Sequence, residues 1–152
     1  MTNLTEHFTL EELIYSAKAK LLGIDNTPTS LIIANLRRLA RFDEQVRLEL
    51  GGAAMLISSG YRCAALNRAI GGAHNSAHLE GLANDFTAPE FGSPLAICRK
   101  LEKSYLSFDQ LIYECVNQAK WVHLAIAPEN AKPRRQVLTI DSKGTRVGLW
   151  RS

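Results

Sequence analysis

The chain lacks the patterns that mark several large classes of protein. None of its apolar runs approaches the ~20 residues that a membrane-spanning helix requires. Its three cysteines, Cys63, Cys98 and Cys115, form no C-x-x-C pair, so the sequence predicts neither a zinc ribbon nor a thioredoxin-like site. No dense basic run is interleaved with aromatic residues. We therefore expect no membrane and no nucleic acid among its partners.

Secretion signals and repeats are absent as well. Residues 1–7 are polar and contain no apolar segment of the kind found in a Sec-type signal peptide, so we expect synthesis in the cytoplasm. The hydrophobic fraction of 46%, the charged fraction of 22% and the net charge of +3 are ordinary for a globular protein. With no linker or repeat, residues 1–152 are expected to form a single domain and a monomer.

Helical patterns dominate the first third of the sequence. Thr9 and Glu12 have the spacing of a capping box, and apolar residues at a helical period predict one helix through residue 21. A second start signal is the proline of residues 27–28 (TP), placed at the first helical position. The amphipathic pattern that follows predicts a long helix up to the two glycines at 51–52.

Strand patterns dominate the remainder. Two apolar runs with a tight connection between them, 108–116 and 121–127, predict a hairpin. Residues 54–58 and 82–87 predict two further strands, and residues 136–140 predict an edge strand. Residues 63–70 predict a short helix, and another helix is predicted to start at Ser93. The expected class is α+β, with N-terminal helices followed by a small, mostly antiparallel sheet that has helices on one side.

Residues 76–85 (SAHLEGLAND) carry the pattern most informative about chemistry. His78 and Asp85 lie seven positions apart and flank a glycine turn and the start of a strand. Imidazole nitrogens and carboxylate oxygens bind zinc at ~2.0–2.2 Å, and a catalytic site leaves one position open. His123 lies in an otherwise apolar strand, where a histidine needs a polar partner. From spacing alone, a loop histidine, a turn aspartate and an ordinary core histidine remain alternatives.

Three separated stretches extend this pattern. They are residues 59–62 (SGYR), the S-x-H-x-x-G-x-A-x-D of 76–85, and residues 121–123 (WVH). In order and spacing they resemble the zinc D-Ala-D-Ala carboxypeptidase family, whose wider group includes lysostaphin-type peptidases and the hedgehog signalling domain. Residues 8–13 (FTLEEL) and 108–114 (FDQLIYE) resemble the phage and prophage branch of that family.

The resemblance implies a metallopeptidase with Zn²⁺ as cofactor and peptidoglycan peptides as partner. His78, Asp85 and His123 match the three metal ligands, which would place a zinc site on one face of the sheet. Arg62 matches an arginine that faces the substrate, where a guanidinium suits a carbonyl oxygen gaining charge or a terminal carboxylate. Ser76 matches a residue beside the first ligand, whose hydroxyl holds the loop or binds substrate.

One position departs from the family's pattern. Many members carry an acidic general base three positions before the last histidine, and here that position is Lys120, which cannot accept a proton while charged. Glu114 is the candidate replacement, because in a hairpin it would lie opposite residues 120–121. An exposed strand-end glutamate is the alternative interpretation of Glu114, and Glu80, next to the ligand loop, is a second candidate base.

These features give three hypotheses for function. The first is a hydrolase, a zinc-dependent peptidoglycan peptidase that acts on stem peptides as a D-Ala-D-Ala carboxypeptidase or a murein endopeptidase. Such an enzyme would degrade the cell wall as a phage or prophage endolysin, and it would reach the wall by holin-type release or by delivery. The second is a non-catalytic zinc-containing binding module of the same fold. The third is a phage structural component that acts on the cell wall. The residues leave open which bond is cut.

Overall fold

Helices precede most of the sheet in a computed structural model that describes residues 1–152. The helices are α1 (Leu10–Ile14), α2 (Ala17–Leu22), α3 (Ser30–Glu49), α4 (Ala64–Ala69) and α5 (Pro94–Glu102), with a 3-10 turn at Ala77–Glu80. The strands are β1 (Leu56–Ser59), β2 (Ala83–Thr87), β3 (Gln110–Val116), β4 (Ala119–Ala125), β5 (Gln136–Asp141) and β6 (Gly144–Val147). The predicted α+β class is confirmed.

The six strands form one mixed sheet in the order β1-β2-β4-β3-β5-β6. Every neighbouring pair is antiparallel except β3 and β5, which run parallel. The parallel pair arises because the connection between β4 and β5 passes the end of β3, so that β5 starts beside Gln110 on the other side of that strand. The hairpin predicted from the sequence is β3–β4, and its two turn residues, Asn117 and Gln118, both have positive φ, as in the type I′ turns that match strand twist.

One face of the sheet is covered by helices. Side chains alternate between the two faces of each strand, and Phe86, Tyr113 and Val122 all point to the covered face. They join a hydrophobic core cluster that also contains apolar residues of α3 and α5. Each apolar side chain buried in this way stabilises the fold by about 1.5–3 kcal/mol. The opposite face is therefore left to form a cleft.

The N-terminal helical segment differs from its prediction. The capping box of Thr9 and Glu12 is confirmed. The prediction of a single helix through residue 21 is wrong, because the backbone becomes extended at Tyr15 and a new helix starts after Ser16. The Ser16 hydroxyl accepts a hydrogen bond from the Ala19 amide at 3.1 Å and so caps α2. A local side-chain cap therefore interrupts an otherwise continuous apolar period.

Two other predicted boundaries are corrected. Helix α3 does not begin at Pro28; Thr29 is its N-cap, and the Thr29 hydroxyl accepts a hydrogen bond from the Ile32 amide at 3.3 Å. The strand predicted at 136–140 exists as β5, but it is not an edge strand, because β6 pairs with its outer side. Gly144, with φ of 97°, provides the turn that brings β6 back along β5.

Candidate metal centre

Sheet register brings two of the three predicted ligands together. Asp85 on β2 pairs directly with His123 on the central strand β4, and His123 pairs in turn with Ile112 on β3. Directly paired residues point to the same face of a sheet. Both side chains therefore project from the face that the helices leave uncovered.

The third predicted ligand, His78, lies on the 3-10 turn. The Ser76 hydroxyl accepts a hydrogen bond from the His78 amide at 3.2 Å, and Gly81 ends the turn in the left-handed conformation. A Cβ atom at Gly81 would also approach Ile32 and Leu36 of α3 within 3.1 Å. The glycine therefore allows the turn to lie close to α3 while His78 reaches across to β2.

The ligand atoms of the three side chains converge. His78 Nε2 lies 3.3 Å from Asp85 Oδ1, and His123 Nδ1 lies 3.1 Å from the same oxygen. All three ligand atoms lie within 4.8 Å of one another, and each residue is buried. A tetrahedral ion with ligands at ~2.0–2.1 Å separates neighbouring ligand atoms by about 3.3 Å. The observed spacing fits zinc.

A carbonyl behind the site orients His78. His78 Nδ1 lies 2.7 Å from the Gly60 carbonyl oxygen, so it carries the proton and donates it. In the neutral form that binds a metal, the ring would present the lone pair of Nε2 to the Asp85 carboxylate, so that two acceptors would face each other. A cation between them resolves this contact, and such an outer hydrogen bond is the usual support of a metal-binding histidine. The donor chemistry therefore also fits a zinc ion.

Gly60, within the SGYR motif, is positioned by close packing on α1. A Cβ atom at Gly60 would collide with the Leu13 carbonyl, and the next residue, Tyr61, donates its amide to that same carbonyl at 2.8 Å. Sequence reasoning placed no role on this glycine. The only signal was its place in the motif, because the function of its carbonyl depends on a contact with His78, 18 residues away.

Burial and charge act against each other at Asp85. Burial opposes the ionised carboxylate, but His78 and His123 outweigh it and hold the pKa of Asp85 well below its usual range. Asp85 is therefore the anionic member of the group. A carboxylate that stays ionised while buried is suited to bind a cation.

His78, Asp85 and His123 line a cleft of about 720 Å³, together with Arg62, Ser76, Glu114 and Trp121. Arg62 makes long contacts from its guanidinium to the hydroxyls of Ser59 (3.3 Å) and Ser76 (3.5 Å). Its buried Nε has no hydrogen-bond partner. Burial lowers the pKa of Arg62, and the negative charges of Asp85 and Glu114 oppose that shift. Arg62 therefore borders the cleft with a guanidinium that makes only long contacts to hydroxyl groups.

Glu114 lies on the same face as the ligands. It pairs with Trp121, two residues from His123 along β4, as the sequence predicted for a hairpin. Burial, and then the charge of Asp85, raise the pKa of Glu114, while His123, Arg62 and Trp121 act in the opposite direction. The indole Nε1 of Trp121 has no partner of full hydrogen-bond geometry. Glu114 thus borders the cleft as a half-buried carboxyl group.

Lys120 lies on the other face of the sheet. It pairs with Cys115 and is exposed. A residue three positions before His123 in a regular strand points to the face opposite His123. Glu80 is also exposed and is not among the residues that line the cleft. Neither Lys120 nor Glu80 therefore lines the cleft, which leaves Glu114 as the candidate base within it.

The comparison with protein families agrees with this geometry. A family model described as Peptidase M15 matches residues 6–125, which include all three ligand residues. The chain belongs to the peptidase M15 family. The family predicted from the sequence is thereby confirmed, and as a zinc-dependent metallopeptidase family it accounts for the donor set of His78, Asp85 and His123. No curated protein sequence gives a significant match to the chain.

No helix of this M15 chain has the features of a membrane span. None combines the length and the apolar character that crossing a bilayer needs.

Proposed function

We propose that the protein is a zinc-dependent peptidase that hydrolyses amide bonds in peptidoglycan stem peptides. The observation that carries the proposal is the convergence of His78, Asp85 and His123 in a cleft that also contains an arginine and a half-buried carboxyl group. Membership of the M15 family supports the peptidase chemistry. The resemblance of the sequence to D-Ala-D-Ala carboxypeptidases supports the peptidoglycan substrate.

The ligand set would hold the ion through one nitrogen of each histidine and one oxygen of Asp85. When bound, Zn²⁺ supplies a Lewis acid for a carbonyl group and lowers the pKa of a coordinated water. The chain's own contribution is orientation: the Gly60 carbonyl fixes which nitrogen of His78 faces the site. Asp85 keeps its negative charge because two histidines face it.

Glu114 is suited to move the proton. A peptidase needs a group that takes a proton from the attacking water and returns it to the leaving amine. The Glu114 carboxyl lies on the ligand face beside His123, and burial raises its pKa towards the range in which both steps are favourable. We therefore assign general acid–base catalysis to Glu114.

Arg62 is suited to stabilise charge on the substrate. Its side chain lines the cleft, and its guanidinium makes only long contacts, to the hydroxyls of Ser59 and Ser76. A guanidinium at this place donates hydrogen bonds to a carbonyl oxygen that gains negative charge, or to a terminal carboxylate. Ser76 contacts Arg62 as well as capping the His78 turn, so it contributes to the orientation of both groups.

Resemblance of residues 8–13 and 108–114 to the phage and prophage branch supports an endolysin setting. We propose that the chain acts as a single-domain monomer and reaches the cell wall after holin-type release.

The alternative of a non-catalytic zinc module drew its support from Lys120. Lys120 lies on the face away from the ligands, so the peptidase proposal relies on Glu114 as the acid–base group in its place.

The decisive experiment is digestion of purified murein by the zinc-loaded protein, with mass spectrometry of the released fragments. Loss of a terminal D-Ala identifies a carboxypeptidase, and separation of cross-linked or stem fragments identifies an endopeptidase. His123→Ala is the control for metal-dependent cleavage. If the wild-type protein binds zinc but releases no fragment, the peptidase proposal fails and the binding module becomes the better explanation.

A further inference from the structure

Helix α3 is hydrogen-bonded to two of the segments that carry the candidate ligands and to the chain that follows the third. It contacts the 3-10 turn that contains His78, the strand β2 that contains Asp85, and the chain just beyond the strand β4 that contains His123. The bonds run from Asn35 Nδ2 to the Glu80 carbonyl (2.8 Å), from Asn84 Nδ2 to Asp43 Oδ2 (2.7 Å) and from Arg38 Nη2 to the Ala127 carbonyl (3.0 Å).

The bond between Asp43 and Asn84 differs from the other two. Both side chains are fully buried, at 0% exposure, on the helix-covered side of the sheet. One oxygen of each, Asp43 Oδ1 and Asn84 Oδ1, has no hydrogen-bond partner. A buried carboxylate without a cation, next to an amide oxygen without a donor, would be strongly destabilising.

The charges around Asp43 do not offset this cost. The ionisable groups whose charges act on Asp43 are Glu12 of α1 and Glu44 of α3, and both are acidic. Burial raises the pKa of Asp43 well above its usual range, the two glutamates raise it further, and only the hydrogen bond from Asn84 opposes them.

A single proton accounts for both unpartnered oxygens. If Asp43 carries a proton on Oδ1, that hydroxyl can donate to Asn84 Oδ1 while Asp43 Oδ2 accepts from Asn84 Nδ2. The two side chains then form a pair with two hydrogen bonds and no net charge. We propose that Asp43 is a neutral carboxylic acid in the folded protein and that, through this pair with Asn84, it positions strand β2 behind the metal centre.

The position of Asn84 links the pair to the site. Asn84 and Asp85 are consecutive on β2, so their side chains point to opposite faces of the sheet. A pair that holds Asn84 against α3 therefore holds the Asp85 carboxylate towards the two histidines. Asp43 acts only through Asn84 and is a positioning residue, so this inference does not depend on which bond the protein cleaves.

The substitution that tests the proposal is Asp43→Asn. An amide at this position can still accept from Asn84 Nδ2 and donate to Asn84 Oδ1, so it keeps both bonds without a titratable proton. We expect the variant to fold and to bind zinc with wild-type affinity. The infrared spectrum of the wild-type protein at neutral pH should contain a protonated carboxylic acid band that Asp43→Asn lacks.

The pH dependence of stability gives a second readout. Because the pKa of Asp43 is raised in the folded state, the wild-type protein loses stability as pH rises above the unfolded value of 3.8 and towards the folded value. Between these two pKa values unfolding releases one proton from Asp43. The folding equilibrium constant of the wild-type protein should therefore fall roughly tenfold per pH unit relative to that of Asp43→Asn. Urea unfolding of both proteins at several pH values measures this difference.

Asn84→Leu serves as the matched variant, because it removes the partner while Asp43 remains. We expect it to lower zinc affinity, measured by competition with a chelator, by roughly tenfold or more, as is typical when the support of a ligand is lost. Absence of the carboxylic acid band in the wild-type protein, or parallel pH profiles for wild type and Asp43→Asn, would overturn the proposal even if Asn84→Leu fails to fold.

Discussion

Replacement of Glu114 by glutamine tests the assignment of the proton-transfer group. The substitution keeps the size of the side chain, and the glutamine oxygen can still face Trp121 across the β3–β4 pair. The fold and zinc content should therefore be unchanged. Turnover should fall by roughly 10²-fold or more, the usual cost of losing general acid–base help. A 10²-fold loss corresponds to about 2.7 kcal/mol in the activation free energy.

The register of the hairpin supplies a matched control. Lys120 is adjacent in sequence to Trp121, yet it is exposed on the opposite face of the sheet. Lys120→Gln also removes one charge, but from a solvated position whose influence on the cleft is screened. We expect its turnover to lie within about twofold of the wild-type value. The ratio of the two turnover rates therefore shows whether a charged side chain matters because it points into the cleft.

The assay is the rate of stem-peptide hydrolysis by the zinc-loaded proteins across a range of pH. The Glu114 carboxyl must be ionised to accept a proton, so the wild-type rate should fall as pH decreases through its pKa, and Glu114→Gln should lack this acid limb. If Glu114→Gln hydrolyses peptides at the wild-type rate, the reasoning is refuted. Equal losses in Glu114→Gln and Lys120→Gln would refute it as well, and Glu80 would then be tested.

Four further changes have defined outcomes. Wild type should bind about one zinc per chain, and metal analysis of His78→Ala should show that this stoichiometric zinc is lost. Arg62→Lys should retain zinc yet lower kcat/KM by roughly 10²–10³-fold, and near-normal turnover would show that Arg62 is structural. Gly60→Ala forces a methyl group against the α1 carbonyl, so we expect about 1–3 kcal/mol of destabilisation in urea unfolding, and unchanged stability would contradict the contact. The Arg134 hydrogen bonds hold the pKa of Asp109 below its usual value, so this pair contributes stability above that value that is lost as pH falls. Asp109→Asn should therefore lose less stability than wild type when urea unfolding is compared at about pH 5 and pH 3.

Much of the fold could be predicted because its signals are local. The capping box at Thr9, the α5 helix that starts after Ser93 and the β3–β4 hairpin each depend on residues within a few positions of one another. The break at Ser16 was missed because the apolar period continues through it. The partners of β5 were missed for another reason: which strand lies beside it depends on the path of the connection around β3, and no local pattern encodes that path.

At the candidate site, sequence alone determined the residue types. Spacing alone left other interpretations of His78, Asp85 and His123 open, and the resemblance to a zinc peptidase family made them the predicted ligand set, whose ligand atoms the fold brings within 4.8 Å of one another. Glu114 was predicted as the base only under the assumption of a hairpin. The tertiary structure decided that this assumption holds and that Lys120 faces away.

Two supports of the site were beyond the reach of the sequence. The Gly60 carbonyl behind His78 and the Asp43 side chain behind Asn84 act across separations of 18 and 41 residues. Ligand types can be read from sequence because coordination chemistry restricts them to a few side chains. Their supporting contacts cannot be, because a backbone carbonyl has no sequence signature and a buried carboxyl reveals its protonation state only through the groups that surround it in three dimensions.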